Sequence, residues 1–343
     1  MFKITYNDIE EILHDYHILT SIKDFSELQR NHYQNNHFRL IVKVDLENST
    51  SIVLRLKNEK NITIELIESQ CQFAEALKNN GIITPIQYKA NAKFANVYHL
   101  DGYDVIVTVE QFVENEVKIV DESIAQKTGE LLAKIHNISE LNNLHVNHNV
   151  LFNPFKSNDL FDYDSFYSLE TQMHEDDKHL FYRIVNKYND YMKILSPLSN
   201  RPQYAVQGDM SDCNTYLTPY GELGVFDFNW SGDNNLFCDA VMHSVFEARN
   251  MDYPENRDSN FEMAILDSFL KGYCSIRDFS IEEKLWYPYL YAIITAFWSA
   301  DIYWDENSLI NLQKSGDIEG VRKHLSIIWE RLTNISDFKV SFQ

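Results

Sequence analysis

The apolar pattern of this 343-residue chain changes period near Val113, and that change limits what it can fold into. Before Val113 the pattern is mostly that of strands. Residues 38–44 (FRLIVKV) alternate in part, and so do residues 51–57 (SIVLRLK). The polar run Glu47-Asn48-Ser49-Thr50 between them predicts a hairpin, with a further strand upstream near residues 26–33. Residues 97–100 and 104–113 predict two more strands around the turn Asp101-Gly102. Two helices interrupt them. One is short, over 8–14 with Ile9, Ile12 and Leu13; the other, over 62–80, sets Ile67, Cys71, Ala74 and Leu77 on one face. Asn79-Asn80-Gly81 and the nearby Pro85 end the second. After Val113 the period is helical. Residues 123–138, 165–195, 261–273, 281–304 and 318–332 read as helices, and one strand-rich stretch, 204–228, breaks the series. The expected class is therefore α+β, with a small antiparallel-sheet lobe at 1–113 and a larger helical lobe at 114–343.

Charge narrows the partners. The chain carries a net charge of −21, which repels nucleic acid and anionic membranes. The acid excess is uneven: about −4 over residues 1–113 and −17 over the remainder, which suits a cationic ligand for the second lobe. No apolar run is long enough to cross a membrane, and residues 1–11, with Asp8, Glu10 and Glu11, lack a secretory core. The expected compartment is the cytoplasm. Cys71, Cys213, Cys238 and Cys274 have neither disulfide-framework nor metal-ligand spacing and are expected to be reduced.

The chemistry concentrates in residues 204–239. A short strand, Tyr204-Ala205-Val206, runs into Gln207-Gly208-Asp209, where glycine permits the tight backbone that presents Asp209 at the strand end. Asn214 follows five residues later. Residues 215–218 and 223–226 predict a hairpin around Pro219-Tyr220-Gly221, which brings Asn214 near Asp227. An amide oxygen and two carboxylates in this order are hard ligands of the kind Mg²⁺ prefers when it bridges phosphates. Phosphoryl transfer needs such a metal and a base to orient the attacking hydroxyl.

This order and spacing resemble the aminoglycoside phosphotransferase and choline kinase-like family, whose fold is similar to that of protein kinases. The resemblance rests on Gln207-Gly208-Asp209, then Asn214, then Phe226-Asp227-Phe228, with Gly232-Asp233 and Asp239 beyond. It implies Asp209 as catalytic base, Asn214 and Asp227 as Mg²⁺ ligands, and ATP or GTP as co-substrate bound between the lobes. Gln207 stands where the family has His. Arg55 matches the cation that contacts the nucleotide phosphates, and Gln111 and Val113 match the segment whose main chain meets the base. The helix after Arg55 has Gln70 where the family offers a Glu; Glu65 and Glu68 are the neighbouring carboxylates. His136, in an apolar-His pair, matches a structural position. No GxGxxG precedes the strand; residues 33–37 are the candidate phosphate loop.

The implied acceptor is a small hydroxyl compound, a cationic aminoglycoside-like antibiotic or a metabolic alcohol such as homoserine, choline or a sugar. Residues 296–305 (AFWSADIYWD) mix aromatic and acidic groups, and a helix there sets Phe297, Asp301 and Trp304 on one face. Trp298, Asp301 and Asp305, together with Trp230 and Asp233 beyond Asp227, are the candidate acceptor residues. Aromatic residues at helical spacing also suit a core. The acidic run at 173–177 reads as a solvated helix end.

Overall fold

A computed structural model describes residues 2–33, 37–47, 50–151, 153–158, 160–210, 212–250 and 260–337. Helix α1 (Tyr6–Asp15) precedes strands β1 (Ile22–His32), β2 (Phe38–Leu46) and β3 (Ser51–Asn58). Helix α2 (Ile64–Asn79) leads to β4 (Asn96–Leu100) and β5 (Tyr103–Gln111). Helices α3 (Glu122–Leu141), α4 (Tyr163–Ser168) and α5 (Glu175–Leu195) follow. The strand-rich stretch contains β6 (Tyr204–Val206), β7 (Thr215–Leu217) and β8 (Leu223–Val225), and β9 (Gly232–Asn234) follows just beyond it. Helices α6 (Leu236–Asn250), α7 (Phe261–Ile276), α8 (Ile281–Ala296), α9 (Leu309–Ser315) and α10 (Ile318–Thr333) complete the order.

The described chain divides into two compact units. The first comprises Met1–Val117, His145–His148 and Cys213–Ser231, so the β7–β8 hairpin packs with the N-terminal sheet although it lies a hundred residues further along. Its five strands are ordered β1-β2-β3-β5-β4 and all pair antiparallel. One sheet face buries Leu40, Val42, Leu54, Leu56, Val105 and Val107 with Ile9, Ile12 and Leu13 of α1. Thr5 caps α1 in a reciprocal box with Asp8, which fixes where that helix begins. Strand β3 is buried on both faces. Because successive side chains alternate, Ile52, Leu54 and Leu56 join this core while Val53, Arg55 and Lys57 face the other way.

The second unit comprises Lys118–Leu144, Asn149–Asp212 and Gly232–Gln343. Helices α3 and α7 pack backbone to backbone: a Cβ built on Gly129 would lie 2.0 Å from the Phe269 carbonyl oxygen, and one on Gly272 would lie 2.0 Å from that of Gln126. A buried polar knot ties the same helices to α6, with the His136 ring 2.8 Å from Tyr273 Oη and 3.0 Å from the Asp239 carboxylate. His136 is thus structural here, and Asp239 is its anchor.

Several elements depart from the sequence expectation: the short β9 and α9 had no counterpart in it, and two longer elements differ for identifiable reasons. Helix α6 was not foreseen: Phe237, Cys238, Ala240, Val241, Met242 and Val245 are buried, and so are its polar residues Asp239, His243, Ser244 and Glu247, so it lacks the solvated polar face that marks an amphipathic helix. The helix expected over 281–304 ends at Ala296. There the backbone leaves the helix to pair with another segment: Asp162 N–H donates to Phe297 O at 2.9 Å and Ser299 N–H to Leu160 O at 3.0 Å. A π-helical turn, Ala300–Trp304, follows. Phe297 is buried and Trp304 is 62% exposed, so they do not share the face that a continuous helix would give them.

The Gly129→Ala variant tests the close helix crossing. It should fold with α3 and α7 forced apart, at a cost of about 1–3 kcal/mol or more, read as a lower denaturation midpoint.

Candidate active site

The first unit contains a chain of buried and half-buried charges that starts on β3. Arg55 Nε donates to Glu110 Oε1 at 2.7 Å, and Arg55 Nη1 donates to Asp227 Oδ2 at 3.1 Å. Arg55 sits opposite Thr108 in the β3–β5 register, and Glu110, two residues along β5, meets it diagonally on the same face. The second oxygen of Glu110 accepts from Gln87 Nε2 at 2.7 Å. Burial opposes the charge on Arg55, but Asp227 and Glu110 outweigh it and raise its pKa. Burial likewise pushes the Asp227 carboxyl up, while Arg55 and Lys57 pull harder and hold it below the ordinary range. Asp227 is therefore a carboxylate at neutral pH.

The partner of Arg55 is a correction to the sequence expectation. The resemblance places a helix carboxylate beside this cation, yet α2 supplies none. Glu68 instead accepts from the N–H groups of Phe94 and Ala95 at 2.8 and 2.9 Å, and Glu65 is exposed. The carboxylate comes from β5. Gln70, at the family's Glu position, is buried and donates to the carbonyl oxygens of Asn229 (2.7 Å) and Ser231 (3.3 Å).

Lys57 is the residue that sequence reasoning passed over. It lies two positions beyond Arg55 on the same strand face, buried, with Nζ hydrogen-bonded to Asn229 Oδ1. Burial, helped by the neighbouring Arg39, lowers its pKa to about 8. The period-two position in SIVLRLK was the available signal.

A cavity of ≈ 350 Å³ opens within this unit. Leu28, Ile41, Val53, Pro85 and Phe226 supply apolar walls. Arg55, Glu110, Asn214 and Asp227 supply polar ones, and Gln111, Phe112 and Val113 form an edge. Three segments far apart in sequence thus bring Arg55, Gln111, Val113, Asn214 and Asp227 around one space. Along the edge, Gln111 N–H donates to Ile86 O (2.8 Å) and Phe112 N–H to Ser51 O (3.0 Å). Among the described residues, no group accepts from Val113 N–H. The candidate phosphate loop at 33–37 lies largely outside the described residues.

Asn214 ends a 3-10 turn, Asp212–Asn214, and its carbonyl accepts from Phe226 N–H at 3.0 Å, which sets it beside the β8 end that carries Asp227. Asp227 itself adopts left-handed backbone angles, φ 54 and ψ 77. Among the described residues, no cluster of three His, Cys, Asp or Glu side chains could hold a metal by itself. An amide oxygen and one carboxylate on a shared cavity fit a hard cation whose remaining ligands are phosphate and water oxygens.

In the second unit, Gly208 has φ 85, a conformation a side chain would strain, immediately before Asp209. The Gln207 side-chain oxygen accepts from Asp209 N–H at 2.8 Å. Gln207 is fully buried and braces this turn. The candidate acceptor residues are scattered. Trp230 is half-exposed beside the His148 ring of the first unit. Asp233 lies on β9 of the second unit, paired with Ala205. Trp298 is buried under the Arg249 guanidinium, 5.5 Å from its ring centre. Asp301 is bound by Arg249 at 3.2 Å and by Arg331. Asp305 is exposed. Trp298 and Asp301 therefore have packing and ion-pair duties of their own. In the acidic run at 173–177, Asp177 departs from a solvated helix end: it is buried and accepts from Arg322 Nε at 2.7 Å.

No protein-family model and no curated protein sequence matches the chain. Solved structures do. A microcompartment-associated aminopropanol kinase superposes with a TM-score of 0.54 at 14% identity, covering 98% of both chains. Amicoumacin kinase in complex with AMP-PNP, Ca²⁺ and Ami gives 0.52 at 14% identity, covering 97% of this chain and 96% of that one. Spectinomycin phosphotransferase in complex with ADP and spectinomycin gives 0.50 at 14%, covering 96% and 98%. The chain thus has the two-lobed α+β, protein-kinase-like fold seen in aminoglycoside phosphotransferases and related small-molecule kinases.

Lys57 generates a stability test. Its folded pKa of about 8 lies below the ordinary 10.5, so the unfolded chain binds this proton more tightly and folding pays for it below pH 8. That cost fades as pH rises through the window. Relative to Lys57→Met, the wild type should gain about 3 kcal/mol between pH 7.5 and 10.5, measured from urea midpoints of both proteins.

Proposed function

We propose that this protein is a small-molecule kinase, an O-phosphotransferase that moves the γ-phosphate of ATP or GTP to a substrate hydroxyl. The observation that carries the reading is the cavity of the first unit. A buried guanidinium fixed by Glu110 and Asp227, together with Asn214 and Val113, whose N–H meets no acceptor among the described residues, lines one space of ≈ 350 Å³. Its volume is in the range of small-ligand sites. The apolar walls suit a purine and Val113 N–H suits a ring nitrogen of that base. Arg55 offers donors to phosphate oxygens, and Asn214 and Asp227 would hold Mg²⁺, which supplies charge neutralisation on the transferring phosphoryl group.

In this reading Asp209 accepts the proton of the acceptor hydroxyl, with its turn held by Gly208 and Gln207. Gln207 makes the required bond to the loop, so its presence in place of His is no argument for a silent site. A catalytically silent nucleotide-binding protein is the alternative, and it differs in turnover alone.

The acceptor of first choice is an aminoglycoside-like antibiotic, because the charge of −17 beyond residue 113 favours a polycation. A metabolic alcohol (homoserine, choline or a sugar) is the competing acceptor; the similar solved structures include an aminopropanol kinase as well as antibiotic kinases.

The test is ADP or GDP release across aminoglycosides, amino alcohols and sugars, with calorimetry of nucleotide binding alongside. Turnover on one class is expected. Asp209→Asn should lower kcat by a thousandfold or so, on the order expected of losing a general base together with its orienting role, while Mg²⁺-nucleotide affinity stays within about twofold. Failure of the wild type to bind either nucleotide would end the kinase reading, and binding without turnover on any acceptor would favour the silent one.

A further inference from the structure

The Glu-to-Gln change in α2 has a specific structural consequence. Asp227 is held in the left-handed region, where a side chain is strained. Its carboxylate caps the 3-10 turn Phe228–Trp230 by accepting from Asn229 N–H at 3.3 Å. The carbonyl of the same residue, Asn229, accepts from Gln70 Nε2 at 2.7 Å, and its side-chain oxygen accepts from Lys57 Nζ. Gln70 reaches one step further, to Ser231 O at 3.3 Å. Every polar group of Asn229 that these contacts engage is therefore tied either to Asp227 or to α2 and β3. Phe73 of α2 adds an edge-on contact to the Phe228 ring, with centres 5.9 Å apart.

We infer that Gln70 and Lys57 are positioning residues that set the Asp227 carboxylate by clamping Asn229, and that Gln70 is not a weakened copy of a helix glutamate. The contacts require a hydrogen-bond donor at position 70. Its two acceptors are carbonyl oxygens, so the side chain must donate, which a carboxylate cannot do. Arg55 already has Glu110 and Asp227, so a third carboxylate beside it has no vacant role. This inference rests on the kinase reading only for what Asp227 holds. The clamp itself is a property of the free protein.

The experiment compares wild type, Gln70→Ala, Gln70→Glu and the exposed control Gln72→Ala. The first readout is amide hydrogen exchange over residues 227–231 in the protein without ligand. Gln70→Ala and Gln70→Glu should each lose about tenfold in protection there, the loss of one well-made buried hydrogen bond, while Gln72→Ala matches wild type. The second readout is binding of ATP as a function of Mg²⁺ concentration, by calorimetry. The Mg²⁺ needed for half-maximal binding should rise about tenfold in both Gln70 variants, with Gln70→Glu no better than Gln70→Ala. In turnover assays the effect should fall on the Mg²⁺ and nucleotide requirement, with kcat at saturation largely kept. Unchanged protection in Gln70→Ala, or Gln70→Glu equal to wild type or better, overturns the clamp. Changed protection in a protein whose wild type binds no ATP or GTP overturns the kinase reading instead and leaves Gln70 a structural residue.

Discussion

A buried guanidinium cannot be left without counter-charge, and most of the first unit's polar organisation follows from that requirement at Arg55. Removing such a group from water costs several kcal/mol, recovered only if carboxylates meet it in good geometry. Glu110 and Asp227 do so, and they come from different parts of the chain: one from the adjacent strand, the other from a hairpin that begins more than a hundred residues later. The ion cluster therefore does more than stabilise. It fixes which end of the β7–β8 hairpin faces β3, and with it the wall of the cavity that contains Asn214.

Around this cluster the protein uses hydrogen-bond direction as carefully as charge. Asp227 is strained by its backbone angles, and the contacts that hold it are donors aimed at carbonyls and at a carboxylate: Gln70 and Lys57 onto Asn229, Asn229 onto Asp227. The turn at Asp209 in the second unit is built on the same principle, with a glycine in a left-handed conformation and an amide oxygen that receives the following N–H. In both places a glutamine stands where the resembling family has a charged or titratable residue. In both the structure gives it a hydrogen bond that accounts for its presence.

Much of this was legible in sequence because it is local. The period-two runs that became β2, β3 and β5 and the stripe that became α2 are patterns over a dozen residues. So is the Asp209, Asn214 and Asp227 spacing, and each names its own element. Other features were hidden for physical reasons. Helix α6 is buried on nearly all sides, its polar residues Asp239, His243, Ser244 and Glu247 included, so it lacks the solvated face that would have announced it. The end of α8 at Ala296 is decided by backbone hydrogen bonds to Leu160 and Asp162, partners that no local pattern reveals. Trp298 and Asp301 looked like a ligand-binding face, yet their cation partners, Arg249 and Arg331, come from α6 and α10.

By itself, the sequence determined the chemical inventory and the local conformations: a cation on β3, a glycine before Asp209, and an amide and a carboxylate at the two ends of a hairpin. It could not say which of several carboxylates meets Arg55, because Glu65, Glu68 and Glu110 all lie within reach along the chain. Only the tertiary structure decided that. The β3–β5 register sets Glu110 on the face of Arg55, and the turn of α2 directs Gln70 to Asn229. Coulomb attraction and hydrogen bonding act over a few ångströms of space, and the strand register and helix packing that fix those distances are properties of the whole fold.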